Sequence, residues 1–366
     1  MAENTKKTVV VGMSGGVDSS VSALLLKEQG FHVIGLFMKN WDEKKTDGTC
    51  SATKDFEDVV KVCETLDIPY YSVNFIQEYW DFVFTQFLGE LKKGFTPNPD
   101  ILCNREIKFH LFFKKAMQIG ADFLATGHYA QIISNPSPTL VKGLDPGKDQ
   151  TYFLYTLKEN ILHKVLFPIG HLHKKEVRAL ALKHNLATAE KKDSTGICFI
   201  GKRDFKEFIS NYIPYQPGPF LTLDGKKLGE HEGMAYYTIG QRKGLGIGGP
   251  GEAWFVVDKD PDFNIVYLAQ GEEHPSLYAH ELTATEMSWV GSPPSFPFSC
   301  KAKIRYRQPE QECILEKIDD NTLNVRFLTP QRAITSRQSI VFYQDSHCLG
   351  GAMIQKRGPS LYELKL

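Results

Sequence analysis

An octapeptide, Gly12-Met13-Ser14-Gly15-Gly16-Val17-Asp18-Ser19, narrows the fold more than any other stretch, because it is wedged between an apolar run and a helix start. Before it, Thr8-Val9-Val10-Val11 is continuous and β-branched, the texture of a parallel strand buried on both faces. After it, Ser19 to Gln29 carries a helical pattern that Gly30 stops. A strand, a glycine turn and a helix in that order leave the first helical N–H groups without intrahelical partners. Gly15 and Gly16 let an anion come close to that backbone, and Ser14 and Ser19 add hydroxyl donors. The turn reads as a phosphate cradle.

The cradle lacks the Gly-Lys-Ser/Thr ending of nucleoside-triphosphatase loops and the Gly-x-Gly-x-x-Gly spacing of dinucleotide binders. Ser-Gly-Gly-x-Asp-Ser instead resembles the signature of the pyrophosphatase-loop (PP-loop) family, which splits ATP between its α and β phosphates. That resemblance implies adenylation, and an ordinary glycine turn is the bland alternative.

At 366 residues, 42% of them hydrophobic, the chain can build the cores of two or three domains. Its formal charge of +0 confines any nucleic-acid surface to a local basic patch. The start, Met1 to Lys7, carries no signal-peptide core, and no run of 18 apolar residues occurs, so a cytoplasmic protein with no membrane partner is expected. Seven cysteines without a Cys-x-x-Cys argue against a disulfide scaffold or zinc ribbon. The thiols that matter are then reactive ones, and no metal site is expected.

Further along, His32 to Met38 reads as a second buried strand, with Lys39, Trp41 and Asp42 opening a solvated loop that could alternatively touch nucleotide. Helix Ala52–Leu66, strand Tyr70–Asn74, a helix over 78–93 and strand Ala121–Thr126 continue the alternation of a doubly wound parallel sheet. Between them, Pro97 and Pro99 hold Asn98 and Asp100 out of helix until one begins near Ile101. Asp100 and Cys103 then share a face of the first turn, where the helix N-terminus, Arg105 and Lys108 favour a thiolate over an ordinary thiol of pKa ~8.5. A buried apolar cysteine is the alternative. His128 is expected at the rim of a strand end, and Lys148 and Gln150 as nucleic-acid contacts around Asp149, an N-cap. Cys198 lies in a short apolar run between two glycines and on its own reads as core.

Past Ile213-Pro214 the texture becomes short strands and turns, a small barrel or two. Tyr237 to Gly249 is a glycine-rich basic loop. Lys301, Lys303, Arg305 and Arg307 alternate with apolar residues, which would place four cations on one strand face for a polyanion.

Together these segments resemble the tRNA-specific 2-thiouridylases, over essentially the whole chain. The resemblance rests on Gly12 to Ser19, Pro97 to Asp100 with Cys103-Asn104, Thr126 to Ala130, Lys148 to Gln150, Ser194 to Gly201, Tyr237 to Gly249, and Arg305 to Gln308. It implies an α/β fold: an adenine nucleotide α hydrolase-like doubly wound parallel sheet over 1–213 with a tRNA-contacting helical insertion, a small central domain over 214–280, and a C-terminal β-barrel over 281–366. It assigns Gly12, Met13, Ser14, Gly15, Gly16, Val17, Asp18, Ser19, Met38 and Gly127 to ATP. Asn98, Pro99 and Asp100 would meet the target base, with Asp100 a candidate acid/base. Cys103 is implied as nucleophile and Cys198 as persulfide carrier, leaving a Cys103–Cys198 disulfide for a reductant to reopen. His128, Lys148, Asp149, Gln150, Tyr306, Arg307 and Gln338 match tRNA contacts, although Thr335 to Gln338 lacks the Pro-Gly of the family pattern. The implied activity is ATP-dependent 2-thiolation of the wobble uridine of tRNA, with Mg2+ on the phosphates and a persulfide carrier protein as donor. Two other classes compete: a PP-loop ligase acting on a nucleobase, and a tRNA-binding module with a vestigial ATP site. An iron–sulfur cluster on Cys103, Cys198 and Asp100 is a less favoured variant.

Overall fold

The computed structural model describes residues 7–41, 51–134, 136–193 and 205–365. Strand β1 (Thr8–Met13) runs into helix α1 (Val17–Glu28), and β2 (His32–Lys39), α2 (Ser51–Thr65) and β3 (Tyr70–Asn74) follow. A helical stretch then carries α3 (Thr85–Lys92), the short α4 (Pro99–Leu102) and a ten-residue π-helical segment, Cys103–Phe112. Beyond β4 (Phe123–Ala125) come the hairpin β5 (Ala130–Ser134) and β6 (Pro138–Lys142), then β7 (Val165–Leu166) and α5 (Lys174–Lys183).

The first sheet has five strands in the order β3-β2-β1-β4-β7, and every pairing is parallel. Strand order reverses at β1, so the octapeptide turn sits at the switch point where ligands enter open α/β sheets. Val9 and Val11 face one core with α1 and α2, while Val10 and Leu36 face another with the Cys103 segment. Both faces are covered, which is why β1 shows no polar alternation.

The second sheet is small: β8 (Gly218–Thr222), β9 (Lys227–His231), β10 (Trp254–Asp260) and β11 (Ile265–Gln270), in the order β10-β11-β8-β9. The third contains β12 (Tyr278–Trp289), β13 (Phe298–Lys303), β14 (Gln311–Asp319), β15 (Thr322–Arg332), β16 (Ser339–Gln344) and β17 (His347–Arg357). It closes into a barrel, because β12 pairs with both β15 and β17.

One connection escapes the sequence pattern. The β5–β6 hairpin leaves the parallel sheet and joins the barrel edge, with His347 opposite Val141 and Cys348 opposite Leu140. The barrel returns the contact through Gln338, whose Nε2 donates to the Thr96 carbonyl at 2.5 Å, just before Asn98. Among the described residues no helix is long and apolar enough to cross a membrane.

Candidate functional site

The octapeptide turn is built to stay open. Gly15 takes φ +72°, and a Cβ there would lie 2.5 Å from the Asp55 carbonyl oxygen. Gly16 is the cap residue of α1, and no side chain caps that helix start. Ser14 and Ser19 hold the turn by short-range bonds: Ser14 N–H and Oγ each lie 3.2 Å from Ser19 Oγ. Ser19 Oγ in turn donates to the Gly16 carbonyl at 3.1 Å. Gly127, beyond the end of β4, packs against the same helix start, where a Cβ would meet Ser19 N at 2.8 Å. A backbone this crowded on its protein side presents its remaining face to a ligand.

Charge around the turn is organised in two knots. Asp18 accepts from Lys174 Nζ at 2.7 and 2.9 Å and from the Tyr129 hydroxyl at 2.8 Å. Lys174 also reaches Asp193 at 2.8 Å, which Lys148 and Arg178 approach at 2.6 and 2.9 Å. Burial raises the Asp193 carboxyl, but the hydrogen bonds from Lys148 and Lys174 outweigh it and hold the pKa at about 2. In the second knot Lys191 Nζ donates to the Gly15 carbonyl, Asp55 and Asp58 at 2.8, 2.8 and 2.6 Å. Lys174 and Arg178 carry no motif, since the packing of α5 against α1 brings them here, and Lys191 and Asp193, which precede the Cys198 segment in sequence, carry no sign of these ion pairs.

The thiol segment meets the turn from the other face of the sheet. Asn98 caps α4 by accepting from Asp100 N–H at 3.1 Å, and Pro99 occupies the first helical position. The helix thus starts two residues before Ile101. Cys103 is fully buried at its end, where the backbone widens into the π-helical segment. Such widening is frequent at functional sites. Phe112, at the far end of that segment, fills the space over Gly12, its ring 3.1 Å from where a Cβ would stand. Met38 belongs to the same buried cluster as Cys103. Cys198 and Asp42 lie outside the described residues; of the two expected thiols the structure describes Cys103 alone, on the segment whose far end, Phe112, packs over Gly12.

Several residues expected to contact tRNA have partners within the chain. His128, expected at a rim, is buried between the Phe109 and Phe167 rings, with Nδ1 2.7 Å from Thr126 Oγ1. Burial and the nearby Lys108 push its pKa well below the usual range, so it is neutral. Asp149 is buried too, accepting from Gly143 N–H at 3.1 Å and Thr151 Oγ1 at 2.9 Å, and the cap residue of the short turn after it is Gln150. Gln150 Oε1 accepts from Tyr129 N–H at 2.9 Å. Asp149 and Gln150 thus shape the loops beside Asp18, and Lys148 is committed to Asp193. Tyr306 rests on Phe153 at 4.5 Å between ring centres, whereas Arg307 is exposed.

The four-cation stripe does not form, because β13 ends at Lys303 and the chain turns. Arg305 points inward and donates to the Ile239 and Ala333 carbonyls at 2.9 and 3.0 Å, joining the loop before β10 to the end of β15. Trp41 is likewise no solvated loop residue. It is buried against Tyr79, Phe84 and Phe208. Arg242 and Lys243 of the glycine-rich loop are exposed, as a basic loop requires.

A family model described as tRNA methyl transferase HUP domain matches residues 7–202, and models of a PRC-barrel and a β-barrel domain match 206–270 and 279–354. The chain is 61% identical over 362 residues, 98% of its length and 96% of the relative's, to tRNA-specific 2-thiouridylase MnmA of Protochlamydia amoebophila. It is 58% identical to the protein of the same name from Halalkalibacterium halodurans, covering 94% of each chain. The Alkaliphilus oremlandii protein of that name is 56% identical, with 97% and 99% covered.

Proposed function

This chain belongs to the tRNA-specific 2-thiouridylases, and we propose that it thiolates C2 of the wobble uridine of tRNA after activating the C2 oxygen with AMP. The observation that carries the reading is the contact of Gly12 with Phe112, by which the Cys103 segment and the phosphate turn share one wall.

ATP fits the turn as substrate. The α1 start and the Ser14 and Ser19 hydroxyls would receive its phosphates, with Lys174 and Lys191 supplying positive charge beside them. Asp18, partly exposed and already facing a cation, would share a Mg2+ with the phosphates. Such an ion neutralises phosphate charge during nucleotidyl transfer. Among the described residues no three His, Cys, Asp or Glu side chains gather into a site of their own, so phosphate and water would provide the other ligands.

The uridine C2 oxygen is a poor leaving group. Its attack on the α-phosphate releases pyrophosphate and turns it into departing AMP. The terminal sulfur of a Cys198 persulfide bonds to C2, while the Cys103 thiolate takes the Cys198 sulfur as the S–S bond breaks. The product is thiouridine, AMP and a Cys103–Cys198 disulfide, which a two-electron reductant must reopen. Cys198 stands five positions after Asp193, a tether of at most ~18 Å from the knot at Asp18. Asn98 and Asp100 would meet the base, extruded from a loop already single-stranded, and Asp100 would move a proton. Arg307 and the loop around Arg242 and Lys243 would contact the tRNA backbone. A persulfide carrier and a reductant complete the cycle in the cytoplasm.

The test is mass analysis of nucleosides from tRNA incubated with the protein, ATP and a persulfide donor. Thiouridine is expected, with Cys103→Ser and Cys198→Ser each abolishing it while ATP still binds. Thiolation by either variant defeats the two-thiol relay. Absence of pyrophosphate release defeats adenylation and leaves a tRNA-binding module.

A further inference from the structure

Asn40 is 1% exposed, yet neither its amide nitrogen nor its amide oxygen has a hydrogen-bond partner. A buried amide left so costs a few kcal/mol, so its retention asks for a use. Its position supplies one. In the β1–β2 register Met13 stands opposite Phe37, and Gly16 and Asn40 each lie three positions beyond that pair. Neighbouring strands run ~4.8 Å apart. Asn40 therefore follows the carboxyl end of β2, the strand beside the one that runs into the phosphate turn.

Face follows from alternation. Leu36 and Met38 belong to the core that holds Cys103, whereas Val33 and Phe37 belong to the opposite one. Lys39 still pairs with Asn74, so the extended backbone reaches the residue before Asn40. Asn40 thus continues the Leu36–Met38 side, the side of the thiol segment.

We propose that the Asn40 side chain recognises the adenine of ATP, its Oδ1 accepting from the 6-amino group and its Nδ2 donating to an adjacent ring nitrogen. The inference rests on the reading that ATP is a substrate, and deepens it. An asparagine offers one donor and one acceptor in a plane, the complement of that edge of adenine. The phosphates on the turn and the base one strand away are within a single nucleotide's span. A uracil imide also carries a donor and an acceptor, but the target base belongs beside Asn98 and Asp100, on a different loop. Nothing in the sequence marks Asn40, which stands between Lys39 and Trp41 at the start of a polar stretch.

The experiment compares ATP with purine riboside triphosphate, which lacks the 6-amino group, on wild type, Asn40→Ala and Asn40→Leu. Direct binding is measured by calorimetry, and pyrophosphate release in the presence of tRNA. Wild type should favour ATP by on the order of 10- to 100-fold, and both variants should bring that ratio close to one by weakening ATP more than the analogue, which keeps the ring nitrogen but not the 6-amino group. Asn40→Leu should also raise the melting temperature of the nucleotide-free protein, since it replaces an unpaired buried amide with apolar atoms of similar shape. Equal losses for both nucleotides, or a lowered melting temperature with the ratio intact, overturn the proposal and make Asn40 a folding residue. If wild type binds ATP selectively but releases no pyrophosphate, the adenylation reading fails and the binding data still decide on Asn40.

Discussion

The Lys191 ammonium donates to the Gly15 carbonyl at 2.8 Å, although 176 residues separate them. Its other bonds, to Asp55 and Asp58, fasten the N-terminal part of α2 to the same point. Gly15 has φ +72° and no room for a side chain, so its carbonyl orientation is fixed from outside rather than by a local side chain. Lys191→Met would leave two carboxylates facing the turn without their cation. ATP affinity should fall about tenfold, ~1.4 kcal/mol, with Lys191→Arg recovering part of it. Calorimetric titration with ATP checks this, and an unchanged affinity removes Lys191 from the site.

Gly127 makes a sharper steric prediction. A Cβ there meets Ser19 N at 2.8 Å and the Asp18 carbonyl carbon at 2.9 Å, both backbone atoms that cannot swing away. Gly127→Ala should displace the start of α1, costing ~1–3 kcal/mol of stability and most ATP binding. Gly89 is the control: it lies within α3 and a Cβ there touches nothing within 4 Å. Gly89→Ala should raise the melting temperature slightly, by ~0.5–1 kcal/mol in stability. The two alanines moving stability the same way would contradict the packing at the turn.

The knot at Asp193 predicts a pH signature. Its folded pKa of about 2 lies below the ~3.9 of an unfolded aspartate, so its stabilisation is present above the unfolded value and is lost as pH falls through about 2. Asp193→Asn should be less stable than wild type at pH 7, and the gap should narrow between pH 4 and 2. Urea midpoints across that range measure it. A gap that stays constant would mean that the Lys148 and Lys174 bonds do not stabilise the carboxylate.

The parallel sheet and the phosphate turn were legible because their causes are local: β-branched runs, helix stops at Gly30 and Gly94, and glycines spaced for a turn. The cap by Asn98 with Pro99 behind it was nearly so, since the structure moves the helix start by only two residues. What the sequence concealed depends on distant packing. His128 turns inward because Phe109 and Phe167 flank it. Arg305 leaves its stripe because β13 stops at Lys303 and two carbonyls from other segments await it. A period of two cannot report where a strand ends. Charge partners such as Lys174 and Asp18, 156 positions apart, have no sequence signal.

Cys300 and Cys313 offer a test that separates structural thiols from the proposed relay. They stand opposite each other on β13 and β14, with sulfurs 3.7 Å apart, and Cys313 is buried. Their facing positions suit a disulfide, and the hydrogen bond with Cys300 together with burial raises the Cys313 pKa, which keeps Cys313 a thiol until an oxidant acts. Diamide, a two-electron acceptor, should take both hydrogens and leave one cross-strand disulfide, seen as a loss of about two mass units in the joined peptides. The closed loop spans 13 positions, so the barrel should gain up to ~3 kcal/mol. Because both side chains pack with the barrel interior rather than with the Cys103 cluster, replacing the pair by serine should leave thiouridine formation intact. Loss of thiolation in that double variant, with the fold preserved, would mean that the barrel sulfurs take part in the chemistry and that Cys103 is not the resident nucleophile.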